Sequence, residues 1–466
     1  MPAGPDAAAM PPWSLFGPHH GKPFAFFLDR GLDPSRPSFA GSVPCAQLVV
    51  ERDGRVRRWS EGRWSEPGGD PVEAIADFLS QSRADPLAAP AWMAGAPLPR
   101  TVGFLAYELG AWTDGPRMLA TRGARREPGT PLAVLSTYDR IDAWDPATRE
   151  SGSVVFRHGQ VDAPPALAPL ASRAWESTPR DAWERGMARV AEAIAAGDIY
   201  QANLSRRVVF AAEGDPADAY ARLRSVQPVP WGAFLDLGGF ALLSNSPECF
   251  LEKRGDCLRT RPIKGTRPRR TDPRADDAEA AALLGDAKEN AEHVMIVDLE
   301  RNDLGRVAVT GSVRVSLLAS VERYATVHHM ESEVVATMRP GLGLADVLRA
   351  TFPGGSITGA PKIRAMEILA EVEDDERGPY TGAIGFFDGE RHADLSIAIR
   401  TALWSGDRML YATGGGIVAD SEAGREWDET ELKVDALRRS LLPGAAAQAA
   451  ATTRTASDPA SKETKP

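Results

Sequence analysis

Residues 380–418 read YTGAIGFFDGERHADLSIAIRTALWSGDRMLYATGGGIV. Two turn sequences, Asp388-Gly389 and Ser405-Gly406-Asp407, divide this stretch into three apolar runs. Connections this short join antiparallel strands, because parallel neighbours need a long crossover. The stretch therefore predicts an antiparallel meander of three strands.

Helices are predicted between the strands of this part of the chain. The first lies between Thr178, which is suited to cap it, and Gly197, which is suited to end it; Pro179 fits its first turn. Further helices are predicted at about 277–302, 344–351, 360–372 and 424–440. Clustered strands with helices between them favour an α+β fold over a doubly wound parallel sheet.

Strands are also predicted upstream of the meander, at Thr101–Leu109, Leu132–Trp144 and Ile199–Phe210. A hairpin signal stands at Asp53-Gly54. Alternate residues of the third strand are polar, which suits a wet cleft. These polar residues are Gln201, Asn203 and Ser205.

Three regions follow from the composition along the chain. We expect a strand-rich N-terminal region at 1–165 and a catalytic region at 180–442, joined by an Ala- and Pro-rich connector. Residues 443–466 are rich in Ala, Thr, Ser and Lys and contain no large apolar side chain, so we expect a disordered tail.

The composition of the 466 residues argues against several classes of protein. A net charge of −10 is unlike that of a general nucleic-acid binder. The chain has neither an apolar run of membrane-helix length nor a secretion signal at its start. The cysteines, Cys45, Cys249 and Cys257, form neither a disulfide framework nor a zinc site. We therefore expect a cytoplasmic protein without nucleic-acid or membrane partners.

Residues 261–266 read RPIKGT and set Lys264 among small neighbours. A lysine does covalent chemistry only as the neutral amine, so burial or nearby cations must lower its pKa. Six arginines lie close to it in sequence, at 259, 261, 267, 269, 270 and 274. The segment is therefore either the site of a nucleophile or a basic, solvated loop.

Two predicted helices repeat a Glu-x-x-Glu spacing: Glu289 and Glu292 in one, Glu426 and Glu429 in the other. Residues three apart share a helix face, and Lys433 extends the second face by one turn. If the helices face each other, four carboxylates converge and require a cation, for which Mg²⁺ is suited. The alternative is two solvated helix faces.

Two charged residues lie in apolar surroundings. Arg400, in SIAIRTAL, should form an ion pair or bind an anion, and a carboxylate fits its guanidinium. Glu248, in SNSPECF, is a candidate general acid because burial would raise its pKa. A satisfied core glutamate is the alternative for Glu248.

Two glycine-rich segments are suited to bring backbone close to a ligand. Residues 353–362, PGGSITGAPK, resemble a Walker loop, but their spacing fails the motif. They lead to a helix start at Pro361, which is a general site for anions. Gly414-Gly415-Gly416 ends a strand. Together with the charged residues, these segments indicate a small polyanion that carries an electrophilic centre and a leaving hydroxyl.

Nine segments between Ile199 and Lys433 resemble the chorismate-utilising enzymes, a family that includes the component I proteins of anthranilate and aminodeoxychorismate synthases and the isochorismate and salicylate synthases. They are IYQANLSRR, SNSPECF, RPIKGTRPR, KENAEHVMIVDLERNDLG, FPGGSITGAPKIRAMEI, PYTGAIGFF, SIAIRT, GGGIVADS and EWDETELK. The resemblance implies two large, mainly antiparallel sheets packed as a sandwich, with helices outside and the active site in the cleft.

Two positions distinguish the reactions within this family. Members that add water carry a lysine where this chain has Gln201, so the resemblance implies ammonia as the nucleophile here. At the position of Lys264, anthranilate synthases typically have alanine (PIAGT), whereas aminodeoxychorismate synthases have PIKGT, as in this chain. The resemblance thus implies formation of 4-amino-4-deoxychorismate for folate synthesis. Lys264 would bond to C2 as the 4-hydroxyl leaves with the help of Glu248, and ammonia would then attack C4.

The resemblance also implies roles for the remaining candidates. The expected Mg²⁺ ligands, which would hold the ring carboxylate, are Glu289, Glu292, Glu426 and Glu429. The expected contacts to the enolpyruvyl carboxylate are Tyr380, Arg400, Gly415 and Lys433, with Thr358 and Gly359 adding to them. Thr266 and His329 are expected near the reacting edge of the ring.

The expected partner is a glutamine amidotransferase subunit that supplies ammonia, since no glutaminase segment is recognised in this sequence. Two other functions stay open. One is that of anthranilate synthase component I in tryptophan synthesis. The other is that of a non-catalytic subunit that binds a regulator.

Overall fold

The computed structural model describes residues 13–30, 33, 35–113, 129–159, 162–324 and 327–441, so the tail predicted at 443–466 lies outside the described residues. Within these ranges the strands in chain order are β1 (Phe26–Asp29), β2 (Ser38–Gly41), β3 (Ala46–Val50), β4 (Val56–Ser60), β5 (Arg63–Ser65), β6 (Thr101–Leu105), β7 (Ala133–Thr137), β8 (Arg140–Trp144), β9 (Ser151–Val155), β10 (Gln201–Ala211), β11 (Trp231–Asp236), β12 (Ala241–Ser246), β13 (Cys249–Arg254), β14 (Cys257–Arg261), β15 (Ile263–Pro268), β16 (Arg314–Arg323), β17 (Val327–Thr337), β18 (Gly359–Ala360), β19 (Ala383–Asp388), β20 (His392–Ile397), β21 (Thr401–Ser405) and β22 (Arg408–Ile417). The α-helices of the same ranges are α1 (Pro71–Ser82), α2 (Arg180–Ala195), α3 (Pro216–Val226), α4 (Pro273–Gly285), α5 (Ala287–Gly305), α6 (Leu344–Thr351), α7 (Lys362–Val372) and α8 (Ala423–Leu441).

The strands form two large sheets. Sheet 1 has the order β18-β10-β22-β21-β12-β11-β1-β2-β8-β9. Sheet 2 has the order β15-β17-β14-β13-β20-β19-β6-β7-β3-β4-β5, and β16 also pairs with β17. The pairings at the centre of each sheet, such as β10 with β22 and β13 with β20, are antiparallel. The predicted α+β fold with two mainly antiparallel sheets is confirmed.

The predicted meander is wrong in its middle strand, which is two strands in different sheets. β19 and β20 form a hairpin in sheet 2, whereas β21 and β22 form a hairpin in sheet 1. The chain changes sheets at Arg400, whose φ is +52°. A non-glycine residue in this region cannot continue a strand. The break therefore places Arg400 at the junction between the sheets instead of inside a strand.

The strand predicted at Leu132–Trp144 divides in the same way. β7 pairs with β3 and β6 in sheet 2, while β8 pairs with β2 and β9 in sheet 1. At Thr101–Leu109, only Thr101–Leu105 is a strand, and a 3₁₀ turn follows it. The hairpin predicted at Asp53-Gly54 is present and joins β3 to β4.

The two sheets pack face to face through aromatic side chains. Phe39 of sheet 1 meets Phe386 of sheet 2 with ring centroids 5.8 Å apart. Phe104 of sheet 2 meets Phe240, which precedes β12 of sheet 1, at 6.4 Å. Burying one such ring contributes ~1.5–3 kcal/mol. The main core thus lies between the sheets.

Helices cover the outer faces of both sheets. α3 and α8 bury apolar residues such as Leu223 and Leu437 against sheet 1. α1, α5 and α6 bury residues such as Ile75, Val297 and Val347 against sheet 2. None of the helices in the described part of the chain is long and apolar enough to span a membrane.

Two helix predictions need correction. The helix predicted at 277–302 is two helices, because the Asp286 side chain accepts hydrogen bonds from the backbone N–H groups of Lys288 and Glu289 and starts α5 there. Thr178 does not cap α2; Pro179 occupies the cap position, and the Thr178 hydroxyl donates to Asp375 at 2.6 Å. The helix predicted at 344–351 coincides with α6.

Strands from residues before 165 complete one end of each sheet: β1, β2, β8 and β9 in sheet 1, and β3 to β7 in sheet 2. The later strands form the other end, where β10 and β22 of sheet 1 approach β15 of sheet 2 through the side chains of the candidate site described below. The region boundaries at 165 and 180 stay a prediction.

Candidate active site

Lys264 extends from β15 into the gap between the two sheets. Its Nζ lies 2.5 Å from Oε2 of Glu292, which is on α5. A Cβ atom placed on Gly416 of β22 would lie 3.5 Å from this Nζ and 3.1 Å from Nε2 of Gln201. Lys264 retains about a fifth of its side-chain exposure, at 21%. The structure thus brings Lys264, Gln201, Glu292 and the glycine segment of β22 together.

Gly265 shapes the strand around this lysine. Its φ is +72°, and the register of β15 against β17 shifts between Lys264 and Thr266. Such a bulge redirects the neighbouring side chains, and glycine adopts this backbone without strain. A Cβ on Gly265 would lie 2.6 Å from Leu283 and 3.3 Å from Oε2 of Glu289. Glycine therefore also permits α4 and α5 to approach the strand.

Five of the six arginines near Lys264 in sequence are engaged with other carboxylates. Their pairs are Arg259 and Arg261 with Glu333, Arg267 with Asp286, Arg269 with Asp276, and Arg270 with Glu279. The neighbours of the Lys264 amine are glutamates. The segment is therefore not a solvated basic loop, and the charge around its lysine is negative.

The Glu-x-x-Glu faces of α5 and α8 both point towards Lys264. Burial raises the pKa of Glu289, with Glu292 adding to the rise against the opposing charge of Lys264. Burial likewise raises the pKa of Glu426, with Glu429 adding to the rise. The α5 face is therefore not freely solvated, since Glu292 keeps only 12% of its side-chain exposure. On α8, Glu429 keeps 57% of its exposure, so a joint site of the two faces stays a prediction.

Four further contacts define the end of the site formed by α8. Glu429 pairs with Lys433, with 2.8 Å between Oε1 and Nζ, and the same Nζ donates to the carbonyl of Gly414 at 2.8 Å. Ser421 donates to Oε1 of Glu426 at 2.7 Å. A Cβ on Gly415 would lie 3.2 Å from Oε2 of Glu426. The predicted binding residues of α8 and β22 are thus in mutual contact.

The four glutamates offer oxygen donors of the kind that a divalent cation such as Mg²⁺ takes. In the described part of the chain, no three Asp, Glu, His or Cys side chains lie close enough to hold a metal ion as they stand. Mg²⁺, however, commonly takes only one or two carboxylates and completes its shell with water and substrate oxygens. Burial is the main cause of the raised pKa values of Glu289 and Glu426, and the neighbouring glutamates add to it. A cation beside these carboxylates would stabilise their charged forms. The donor set fits Mg²⁺, and its binding is a proposal.

Glu248 is buried at the corner between β12 and β13. Ser356 donates to its Oε1 at 2.6 Å. Burial raises the pKa of Glu248 to about 7, and Ser356, the backbone N–H of Ile263 and the charge of Lys264 oppose that rise. A carboxyl with this pKa is able to donate or accept a proton near neutral pH.

His329 and Thr266 are neighbours, as β15 and β17 pair at these residues. Nδ1 of His329 lies 3.1 Å from the Thr266 hydroxyl and 3.2 Å from the carbonyl of Gly265. A proton on Nδ1 satisfies that carbonyl and leaves Nε2 as an acceptor. Burial, followed by the charge of Arg400, lowers the pKa of His329 to about 4, so its imidazole is neutral.

Several buried polar groups of this cleft lack a partner within the described residues. Oε1 of Gln201, Nδ2 of Asn203 and Nε2 of His329 have no hydrogen bond. Arg400 faces Tyr411 and Glu248 without an ion pair to any described carboxylate. Buried polar groups are nearly always satisfied in folded proteins. This concentration of unsatisfied donors and acceptors therefore indicates a site for a polar, anionic ligand.

The family comparison agrees with this geometry. The profile described as chorismate binding enzyme matches residues 38–439. The chain belongs to the chorismate-binding enzyme family. It is 46% identical over 368 residues to anthranilate synthase component 1 1 of Haloarcula marismortui, covering 72% of this chain and 74% of that one. It is 36% identical to aminodeoxychorismate synthase component 1 of Klebsiella aerogenes, covering 95% of this chain and 98% of that one.

A solved structure supports the fold of this chorismate-binding enzyme. Anthranilate synthase component I from Streptococcus pneumoniae superposes with a TM-score of 0.71 at 29% identity, covering 87% of this chain and 92% of that one. Together with the family match, this establishes the protein as an enzyme that acts on chorismate. The relatives carry two different synthase names, so these comparisons leave the member of the family open.

The remaining predicted contacts of the chorismate-binding enzyme lie along β10. The carbonyl of Thr358 accepts from the backbone N–H of Asn203 at 2.9 Å, and Gly359 pairs with Ala202. A Cβ on Gly359 would lie 2.2 Å from the carbonyl of Gln201, so only glycine fits there. Tyr380 is buried beside Asn203, and burial raises the pKa of its hydroxyl.

Sequence reasoning missed Arg377, which joins these parts of the site. It is buried and binds both carboxylate oxygens of Glu373, at 2.8 and 3.0 Å. It also donates to the carbonyls of Ile357 and Asn203, at 3.0 and 2.5 Å. Its segment, EDDERGP, has the composition of a solvated loop, so no local signal marks the buried pair.

Proposed function

We propose that the protein is an aminodeoxychorismate synthase component I, which converts chorismate and ammonia to 4-amino-4-deoxychorismate for folate synthesis. The observation that carries this proposal is the position of the Lys264 amine. It lies in the cleft beside Gln201 and Gly416 instead of in solvent. A lysine at this position provides the nucleophile that a substitution with retained stereochemistry requires, since two successive displacements are needed.

In the first displacement, the neutral amine of Lys264 bonds to C2 of the ring. Both double bonds of the ring diene shift by one position, to C1=C6 and C4=C5, and the C4–O bond breaks. Glu248, protonated near neutral pH, gives its proton to the departing hydroxyl, which leaves as water. The resulting carboxylate takes up the proton that the lysine nitrogen loses on alkylation. Before attack, the ammonium form must give a proton to an acceptor, and Oε2 of Glu292 is within reach at 2.5 Å.

In the second displacement, ammonia bonds to C4 while the C2–N bond to Lys264 breaks and both ring double bonds return to their original positions. The proton that ammonia loses balances the proton that the leaving lysine gains. Gln201 supports ammonia as the nucleophile, because an amide has no basic group with which to activate water.

The two carboxylates of chorismate fit adjoining parts of the cleft, which meet where Lys433 contacts Glu429. We assign the enolpyruvyl carboxylate to Arg400, Tyr380, Lys433 and the Gly415 backbone. The ring carboxylate lies at the glutamates of α5 and α8, where a bound Mg²⁺ would neutralise the charge on both sides. Arg400 supports this orientation because it has no described carboxylate as an ion-pair partner.

Ammonia comes from a second subunit in this proposal. Relatives of the chain are named component 1, which supports a second component, and we propose a cytoplasmic glutamine amidotransferase for that role. The non-catalytic alternative is disfavoured, because the lysine, the acid and all four glutamates are present and face one cleft.

The experiment that tests the function is product analysis. Purified protein with chorismate, Mg²⁺ and ammonium is expected to form 4-amino-4-deoxychorismate, identified by mass spectrometry and by conversion to 4-aminobenzoate with an added lyase. Anthranilate as the product would establish the second candidate, which the relative from Haloarcula marismortui favours by its name.

A further inference from the structure

The segment PGGSITGAPK, residues 353–362, has no reacting group of its own, yet most of its polar atoms are tied to the rest of the site. Its Ser356 holds the carboxyl of Glu248. Two buried acids of α5, Glu300 and Asp303, lie behind the segment and take no part in the proposed chemistry. They connect it to the helix that carries Glu289 and Glu292.

Glu300 binds the turn that precedes Ser356. Its Oε1 accepts the backbone N–H of Gly355 at 2.9 Å. A Cβ on Gly355 would lie 2.9 Å from Leu299 and 3.0 Å from this same oxygen, so the turn lies directly on α5. Burial and the charge of Asp303 raise the pKa of Glu300, while Lys362 opposes the rise. The hydrogen bond from Gly355 needs only an acceptor oxygen on Glu300, and the carboxyl of Glu300 provides one whether it is ionised or neutral.

Lys362 closes the segment from its other end. Its ammonium group pairs with Asp303 and donates to the carbonyls of Pro353 and Thr351, at 2.8 and 3.2 Å. All three of its donors are therefore used within the protein. Thr358 also donates to the carbonyl of Gly354 at 3.0 Å, which keeps the turn compact.

We propose that Glu300 and Lys362 are positioning residues for Glu248. They hold the Gly354–Ser356 turn on α5, so that the Ser356 hydroxyl fixes the carboxyl of Glu248 towards the leaving hydroxyl. The inference rests on the proposed role of Glu248 as the acid. It adds that one helix, α5, has two roles. It carries Glu289 and Glu292, which are proposed to lie at the ring carboxylate, and it carries Glu300, which is proposed to position Glu248 at the leaving hydroxyl.

The test compares Glu300→Leu, which removes the acceptor, with Glu300→Gln, which keeps it. For Glu300→Leu we expect kcat to fall ~10-fold or more, since small displacements of catalytic groups have effects of this size, while the KM for chorismate changes less than about threefold. Glu300→Gln is expected to restore kcat to within about threefold of wild type. Arg301→Gln, at the exposed neighbour of Glu300 on α5, is the matched control and is expected to leave both constants unchanged.

A double-mutant cycle with Ser356→Ala decides whether Glu300 acts through the serine. If it does, Glu300→Leu adds little to the loss already caused by Ser356→Ala. Multiplicative losses in kcat would overturn the proposal, and so would equal kinetics for the Leu and Gln variants. If Glu300→Leu fails to fold, Gly355→Ala displaces the same turn from α5 and is expected to give the same non-additive loss.

All rates are measured as consumption of chorismate, and product identity is recorded separately. A product other than 4-amino-4-deoxychorismate from the wild-type protein would contradict the proposed function. Unchanged or additive rates in the variants would contradict the positioning role even where the product is the expected one.

Discussion

Lys264 and Glu292 form an ion pair between β15 and α5, with Nζ 2.5 Å from Oε2. The pair joins the expected nucleophile to one of the four glutamates expected at the ring carboxylate. The lysine is therefore held in the cleft as a cation until its proton is removed. In the proposed mechanism the amine must lose this proton before it attacks, and Glu292 is within reach as the acceptor.

Lys264→Ala is expected to abolish formation of the 4-amino product, with a loss of on the order of a thousandfold or more, as for other covalent nucleophiles. In the wild type, peptide mass spectrometry of the quenched reaction is expected to find a chorismate-derived adduct on the peptide that contains Lys264. Lys22→Ala, at an exposed lysine, is the control and should retain full activity. A Lys264→Ala variant that makes the same product at the wild-type rate would remove the lysine from the mechanism.

The activity is expected to depend on the ionisation of Glu248. Its pKa is raised to about 7, and the acid form is the one that donates a proton. The rate of the first displacement should therefore fall as the pH rises through about 7, and Glu248→Gln should be inactive at every pH. The measurement is the pH profile of kcat/KM for chorismate.

The variant Ser356→Ala tests the direction in which the pKa of Glu248 changes. The serine hydroxyl stabilises the charged carboxylate, so its loss should raise the pKa of Glu248 and move the descending limb to higher pH. Movement of the descending limb of the Ser356→Ala profile to lower pH would contradict the role of Glu248 as the acid. A wild-type kcat/KM that increases through pH 7 because Glu248 ionises would also contradict it.

Glu292→Gln and Glu426→Gln are expected to weaken Mg²⁺ binding by about tenfold or more, because each removes a charged oxygen donor from a site with few protein ligands. Calorimetric titration with Mg²⁺ measures this directly, without turnover. Asp428→Asn is the matched control, since Asp428 lies between the glutamates in sequence but is exposed on α8. Equal Mg²⁺ affinity in all three variants would contradict a metal site at these helices.

A comparison of Gly265→Ala with Gly255→Ala is expected to distinguish the cost of backbone strain, which both variants share, from disruption of the site, which only Gly265→Ala should cause. Both glycines have positive φ, +72° and +61°, so alanine should cost each ~1–2 kcal/mol of unfolding free energy. Only at Gly265 does the new methyl group meet Leu283 and Glu289, whereas the space around Gly255 is open. Urea unfolding and kcat together test this, and only Gly265→Ala should also lose activity.

The sequence allowed prediction of those elements whose signals are local. α6 has its predicted bounds, and the hairpin at Asp53-Gly54 forms because its turn residues specify it. The glutamate pairs of α5 and α8 were found from helix spacing, and the resemblance of nine segments connected them with Lys264. These signals depend only on residues close together in the chain.

What sequence did not reveal depends on distant packing. The change of sheet at Arg400 interrupts a run whose apolar character continues on both sides, and nothing local requires the positive φ of an arginine. The break at Asp286 is different, because Gly285 and the Asp286 cap are local signals that the prediction of one continuous helix did not use. The supports Arg377 and Glu300 were missed because charged residues usually lie in water, and only the folded structure places them behind the site.

The order of strands has a consequence for the integrity of the enzyme. β1 lies beside β11 in sheet 1, and β6 lies beside β19 in sheet 2. If the chain were severed in the connector and its first part lost, β11 and β19 would become open edges lined by largely buried apolar residues. Such edges pair readily with other chains and promote aggregation. The N-terminal strands β1 and β6 therefore protect the edges of β11 and β19 from pairing with other chains.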